Sequence, residues 1–247
     1  MKLGNLEFWL LTDGTFRLDG GAMFGVIPKP MWEKKAPADA RNRIAMAMNS
    51  FLVYAGGKRI LIETGAGDKH NDKFRDIYAL DGPNLLDSLR HYGCQPDDID
   101  IVVNTHLHFD HCGGNPLLGA IPVYVQGAEL DAARRTPDYT LPELIENSRF
   151  EPVTGQVEVL AGVFLMPTPG HTGGHQSLIV RRADGAVILA GQSHDTATQY
   201  AADQLSWRAH RDSHSQPLPD IPNWIDALQQ LDPRIVYFAH DRSVWTP

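Results

Sequence analysis

The segment Asn104-Thr105-His106-Leu107-His108-Phe109-Asp110-His111-Cys112-Gly113-Gly114 constrains this chain more than any other. Three histidines and one aspartate fall within six residues, directly after Ile101-Val102-Val103, an apolar run that reads as a buried strand. On extended chain, side chains two apart point the same way, so His106 and His108 can share one cation. Asp110 and His111 arrive as the chain turns and can face a second position nearby. Without a cation these side chains would crowd and repel one another, so the spacing points to metal rather than to a decorated loop. The glycines that follow permit close backbone approach.

A metal site needs further protein ligands, and two later histidines share the address of the first group. His171 lies in Thr168-Pro169-Gly170-His171-Thr172-Gly173-Gly174-His175, a turn after an apolar strand, and His240 lies in Phe238-Ala239-His240-Asp241, again past a strand's carboxyl end. Ligand sites of α/β proteins gather at such ends. His70, His91, His210 and His214 lack that framing and read as surface histidines.

The rest of the chain alternates short apolar strands with turn signals and helical patterns. Leu6 to Leu11 reads as a strand closed by the hairpin dipeptide Asp13-Gly14. Asn84 caps a helix with Leu85, Leu86, Leu89 and Tyr92 on one face, and Gly93 stops it. Strands are expected at 157–160, 163–166, 177–180, 187–190 and 235–238, with a helix carrying Ile221, Ile225, Leu228 and Leu231 before the last. Two β-rich halves, each ending in helices, predict an α/β fold, an αββα sandwich formed as one domain over residues 1–247. Residues 19–47 and 200–219 break the pattern and read as irregular functional loops. Phe24 and Trp32 in the first of them are candidates either to line a groove or to cap the core.

Charge and cysteine usage narrow the partners. With 22 basic against 30 acidic residues and a net charge of −8, no nucleic-acid partner is expected. Apolar runs reach only about six residues, far below the ~20 of a membrane span. Glu7 also interrupts the apolar start, so neither a membrane partner nor an export signal is predicted. Two cysteines, Cys94 and Cys112, are too few for a disulfide framework, which makes the cytoplasm the default compartment.

The sequence resembles the metallo-β-lactamase fold hydrolases over nearly its whole length. The likeness rests on the HxHxDH segment at 106–111, the PGHTxGH segment at 169–175 and the terminal FAHD at 238–241. The chain's size, the His175-Gln176-Ser177-Leu178 continuation and that ending look most like the acyl-homoserine and pyridoxo-lactone hydrolases. The resemblance implies two mixed β-sheets flanked by helices, with two metals in a shallow cleft between them. His106, His108 and His171 would hold one metal, and Asp110, His111 and His240 the other. Glu63 in Glu63-Thr64-Gly65 stands where the family often has an aspartate that supports the metal site.

The chain departs from the family at two positions. Gln192 follows the strand at 187–190, where the family's bridging aspartate is expected, and an amide oxygen offers a lone pair without charge. Gln192 is therefore a candidate ligand, and one metal or two both stay open. The lactonases' substrate-contacting tyrosine falls at Asp195, preceded by His194, and neither inherits its role. Asp195 as the bridging ligand in a shifted registration is the other alignment.

The implied function is metal-dependent hydrolysis, a metal-bound hydroxide attacking a lactone or other ester carbonyl, with Asp110 as the catalytic proton carrier. The partner is a small-molecule substrate, and a homodimer is open to the chain. Zinc is the expected cofactor, with iron, cobalt and manganese also compatible with the donors. Rival readings are a mononuclear or iron-dependent relative of persulfide dioxygenase type, a β-lactamase, and a metal-stabilised binding protein without catalysis.

Overall fold

The computed structural model describes residues 2–3, 6–212, 222 and 224–247. The first sheet holds β1 (Lys2–Leu3), β2 (Leu6–Asp19), β3 (Arg43–Ala55), β4 (Lys58–Ile62), β5 (Ile101–Val103), β6 (Pro122–Gln126) and β7 (Arg149–Val153), in that spatial order. It is antiparallel up to β4 and parallel from β4 to β7. The second sheet runs β8 (Val157–Leu160), β9 (Val163–Pro167), β10 (Gln176–Arg182), β11 (Gly185–Leu189), β12 (Pro233–Tyr237), and only its β11–β12 pair is parallel.

Nine helices accompany the sheets among the described residues: α1 (Gly20–Phe24), α2 (Lys29–Trp32), α3 (Asp72–Tyr78), α4 (Leu85–His91), α5 (Phe109–Cys112), α6 (Gly127–Arg135), α7 (Pro142–Glu146), α8 (Ala197–Arg211) and α9 (Trp224–Gln229). None is long and apolar enough to cross a membrane.

Strand periodicity builds the layers. Along β4, Ile60 and Ile62 point between the sheets and meet Val163, Leu178 and Val187, while Leu61 points outward beneath α4. Leu85 and Leu89 of α4 cover that outer face, each burial contributing about 1.5–3 kcal/mol. On the far side, Ile225 and Leu228 of α9 and Tyr200 of α8 cover Ile179, Ile188 and Val236. The result is the predicted αββα sandwich. Asn84 caps α4 through the Asp87 amide, and Gly93 past its end takes a φ of 70°. The Tyr92 side chain expected on the buried face is 45% exposed.

Three local readings are corrected. Asp13-Gly14 is no hairpin: β2 continues through it with a bulge between Thr12 and Thr15. Asp13 turns inward there and accepts from the amides of Ala66, Gly67 and Leu85. Residues 197–211 form the longest helix rather than a loop, started by a capping box between Thr196 and Gln199. His70 is buried, its ring stacked 4.2 Å from Phe74. His91 and His210 are exposed as expected, while His214 and Ile221 lie outside the described residues.

The sheets close on each other at one edge. The backbone amides of Ala47 and Asn49 on β3 donate to the carbonyls of His240 and Ala239, just past β12. The ends of β4, β5, β9, β11 and β12 therefore open at a common rim, and the predicted site residues follow these ends.

Candidate metal centre

The histidine-rich loop leaves β5 and is held by a buried polar lattice. The His111 carbonyl accepts from the Thr64 amide at 2.8 Å and from Asn104 Nδ2 at 2.8 Å, and Asn115 joins Thr64 to Asn104. Gly113 is required by space: a Cβ there would lie 1.9 Å from the Ala66 carbonyl oxygen. The lattice orients α5, which carries Asp110 and His111.

Two donor groups result. One nitrogen each of His106, His108 and His171 converge, and so do one donor atom each of Asp110, His111 and His240; within each group all lie within 4.8 Å of one another. His108 Nδ1 is 3.0 Å from His106 Nε2 and 3.1 Å from His171 Nε2, and His111 Nε2 is 3.1 Å from His240 Nε2. A neutral imidazole has one N–H, so three nitrogens crowded together cannot all be satisfied by protons. A cation accepting their lone pairs resolves the conflict, and the donor set fits a metal.

Electrostatics agree. Burial, reinforced by neighbouring imidazoles, holds His106 well below the ordinary imidazole value, and burial does the same for His111. Burial pushes His171 down to about 4. Unfolded, these rings take up protons near pH 6.5. Their contribution to stability is complete above that pH and is lost as pH falls toward the folded values. Metal-stripped protein is therefore expected to melt at steadily lower temperature from about pH 7 to about pH 4.5, the buried His106 and His111 each adding up to about 1.4 kcal/mol per pH unit and the exposed His171 less. A flat profile across that window would contradict it.

Glu63 stands behind His111. Its Oε2 is 3.3 Å from His111 Nδ1, and its Oε1 accepts from the Thr105 amide at 3.0 Å. Both atoms are buried, and among the described residues each has only the other to face. A proton on Nδ1 directed at Glu63 leaves Nε2 as the donor to a metal. Burial pushes the Glu63 carboxyl up to about 8.

Gln192 follows β11 and faces the second group, its Oε1 3.2 Å from His240 Nε2. Its Nε2 donates to Asp195 Oδ1 at 3.1 Å, so Asp195 stands one residue behind the donor groups rather than among them. His194 points away, its Nε2 3.0 Å from Asp203.

Two residues without a role in the sequence reading support the loops. Glu129 of α6, fully buried, accepts from the Leu107 amide at 2.9 Å, from Thr172 Oγ1 at 2.7 Å and from the Tyr139 hydroxyl. His175 accepts from the Gln192 backbone N–H through Nε2 at 3.0 Å. The one trace of Glu129 in the sequence is Gly174, where a Cβ would lie 2.3 Å from the Glu129 nitrogen.

A cleft of about 300 Å³ opens over both groups, between His108, Asp110, His171 and Gln192 and an aromatic rim of Phe16, Tyr78, Phe109 and Tyr139. It adjoins a larger hollow of about 840 Å³ under residues 133–142 that shares Tyr78, Phe109 and Tyr139. Phe24 and Trp32 line neither: their rings stack 4.7 Å apart, and Trp32 is buried against the cluster around Phe16 and Met46.

The sandwich and the donor groups at its rim define a class, and sequence comparison agrees. The family model described as the metallo-beta-lactamase superfamily matches residues 45–240, and this chain belongs to that superfamily. An N-acyl homoserine lactonase of Bacillus cereus is 30% identical over 193 residues, covering 74% of this chain and 76% of that one. A probable metal-dependent hydrolase from Staphylococcus aureus has the same fold, with a TM-score of 0.73 at 21% identity over 98% of this chain and 91% of that one. A quorum-quenching N-acyl homoserine lactone lactonase has a TM-score of 0.69 at 22% identity, over 98% and 94% of the two chains.

Proposed function

We propose that this chain is a metal-dependent hydrolase acting on a lactone or other ester carbonyl, with zinc as its resident cation. Two converging donor groups under one cleft carry the reading. The identity with the Bacillus cereus N-acyl homoserine lactonase supports a lactone as substrate class. His106, His108 and His171 would hold one ion, and Asp110, His111 and His240 a second, with the Gln192 oxygen beside it. Imidazole nitrogens with one carboxylate suit zinc and leave coordination positions open. When bound, such a cation lowers the pKa of its water from about 15.7 toward ~7 and polarises a carbonyl.

The chain's own groups supply the rest. Asp110 belongs to the second donor group and also lines the cleft, where its carboxylate orients the nucleophile and carries a proton to the leaving oxygen. The aromatic rim excludes water and takes the apolar part of the substrate. No lysine or arginine lines the cleft among the described residues, which favours an uncharged ester. One domain across residues 1–247 and a cytoplasmic setting complete the proposal, the buried free thiols Cys94 and Cys112 suiting a reducing compartment.

Elemental analysis of protein purified without added metal or affinity-tag histidines tests it. Two equivalents of zinc per chain, with turnover on a lactone and ester panel, is the expected result. One equivalent that added metal does not raise would mean that neutral Gln192 leaves the second group too weak to hold an ion. No metal and no turnover would overturn the proposal.

A further inference from the structure

Resting on the ester-hydrolase reading, we infer that the Tyr78 hydroxyl is the side-chain donor that binds the substrate's carbonyl oxygen in the cleft. Two hydroxyls and one side-chain amide line that cleft: Tyr78, Tyr139 and Gln192. The Tyr139 hydroxyl donates its single proton to buried Glu129, while the Gln192 side chain is turned to Asp195 through one of its two N–H groups, with its oxygen facing His240. Tyr78 makes ring contacts with Phe74 and Phe109, and its hydroxyl has no partner among the described residues. Of the two hydroxyls that line the cleft, it is the uncommitted one.

The hydroxyl is also held in place. His70, Phe74 and Tyr78 recur at helical spacing, with ring centroids 4.2 Å and 4.4 Å apart, and Phe109 closes on Phe74 at 4.8 Å and on Tyr78 at 4.7 Å. The C-terminal turn of α3 is pinned from β3, since Arg43 Nη1 donates to the carbonyls of Asp76 at 2.6 Å and Ile77 at 2.8 Å. Ala79, in the left-handed region at φ 45°, ends the helix directly after Tyr78. A donor on a ring fixed by this packing needs little rearrangement as charge develops on a carbonyl oxygen. Phe109 adjoins Asp110 in sequence, so the same ladder sets the rim against the second donor group.

Tyr78→Phe removes the hydroxyl and keeps the ring, so folding and metal content should match the wild type. On an ester that the wild type hydrolyses, kcat should fall by about tenfold to a hundredfold with little change in KM. Affinity of the zinc-loaded protein for an alkylphosphonate monoester, a tetrahedral oxyanion mimic, should fall about tenfold, while zinc affinity stays unchanged. A variant within twofold of the wild type in kcat and in phosphonate affinity overturns the role of Tyr78 and leaves the hydrolase reading standing. A zinc-loaded wild type that turns over no ester or lactone overturns both.

Discussion

Replacing His106 with alanine is expected to reduce ester hydrolysis to the limit of detection while leaving the fold intact. His106 is fully buried at the centre of the imidazole cluster, its ring 4.0 Å from His111, 4.6 Å from His108 and 4.7 Å from His171. Its removal takes one of three nitrogens from the first donor group and opens space into which His108 and His111 can relax. Metal affinity should fall steeply, because two imidazoles alone no longer define a tetrahedral site. The fold should survive, since the ring lies past the end of β5 and outside the apolar clusters that hold the sheets together. Removing a buried neutral imidazole also relieves some desolvation, which offsets part of the lost packing. Circular dichroism, a thermal melt, metal analysis and turnover measured together test this. Turnover within tenfold of the wild type would contradict the mechanism.

What the sequence disclosed, and what it hid, follows from how local each signal is. The HxHxDH segment is legible because its residues sit within one turn of chain and their chemistry is shared. The strand before it is legible as an unbroken apolar run, and the helix at 85–91 because one face is apolar and its caps have a characteristic composition. The Asp13-Gly14 bulge was hidden because the same dipeptide serves hairpins and bulges, and only the inward partners of Asp13, contributed by 66–67 and 85, decide between them. Helix 197–211 was hidden by sparse apolar spacing, although the Thr196–Gln199 capping box marks its start in the sequence. His70 read as surface because its burial depends on Phe74 and on the more distant Phe109. For a similar reason the sequence leaves Phe24 and Trp32 open between groove and core, and the structure packs them against the core cluster of Phe16 and Met46. An apolar side chain in an irregular segment does not announce whether it faces a cleft or the core.

Glu129 is the clearest residue of that hidden kind, and its truncation should have the second large effect. Its carboxylate joins three segments far apart in sequence: Leu107, between the first two histidines; Thr172, next to His171; and Tyr139, whose ring lies 5.0 Å from that of His108. Burial, with the bond to Glu129 adding to it, pushes the Tyr139 hydroxyl well up from its ordinary value. Glu129→Ala leaves the Leu107 amide buried without an acceptor and frees Thr172 and Tyr139 to rotate, for a loss of about 3 kcal/mol or more. His108 and His171 then lose their fixed spacing, and kcat should fall by about a hundredfold, with weaker metal binding. Glu129→Gln separates geometry from charge. Its amide oxygen can still accept from Leu107 and Tyr139, while its NH2 can donate to a Thr172 hydroxyl that has rotated to accept. Stability and metal content should therefore stay near wild type, and kcat within about tenfold. If the glutamine variant instead fails as completely as the alanine variant, the charge of Glu129 matters to the metal beyond its hydrogen bonds. If the alanine variant melts and turns over like the wild type, the loops carrying His108 and His171 are held by something other than Glu129.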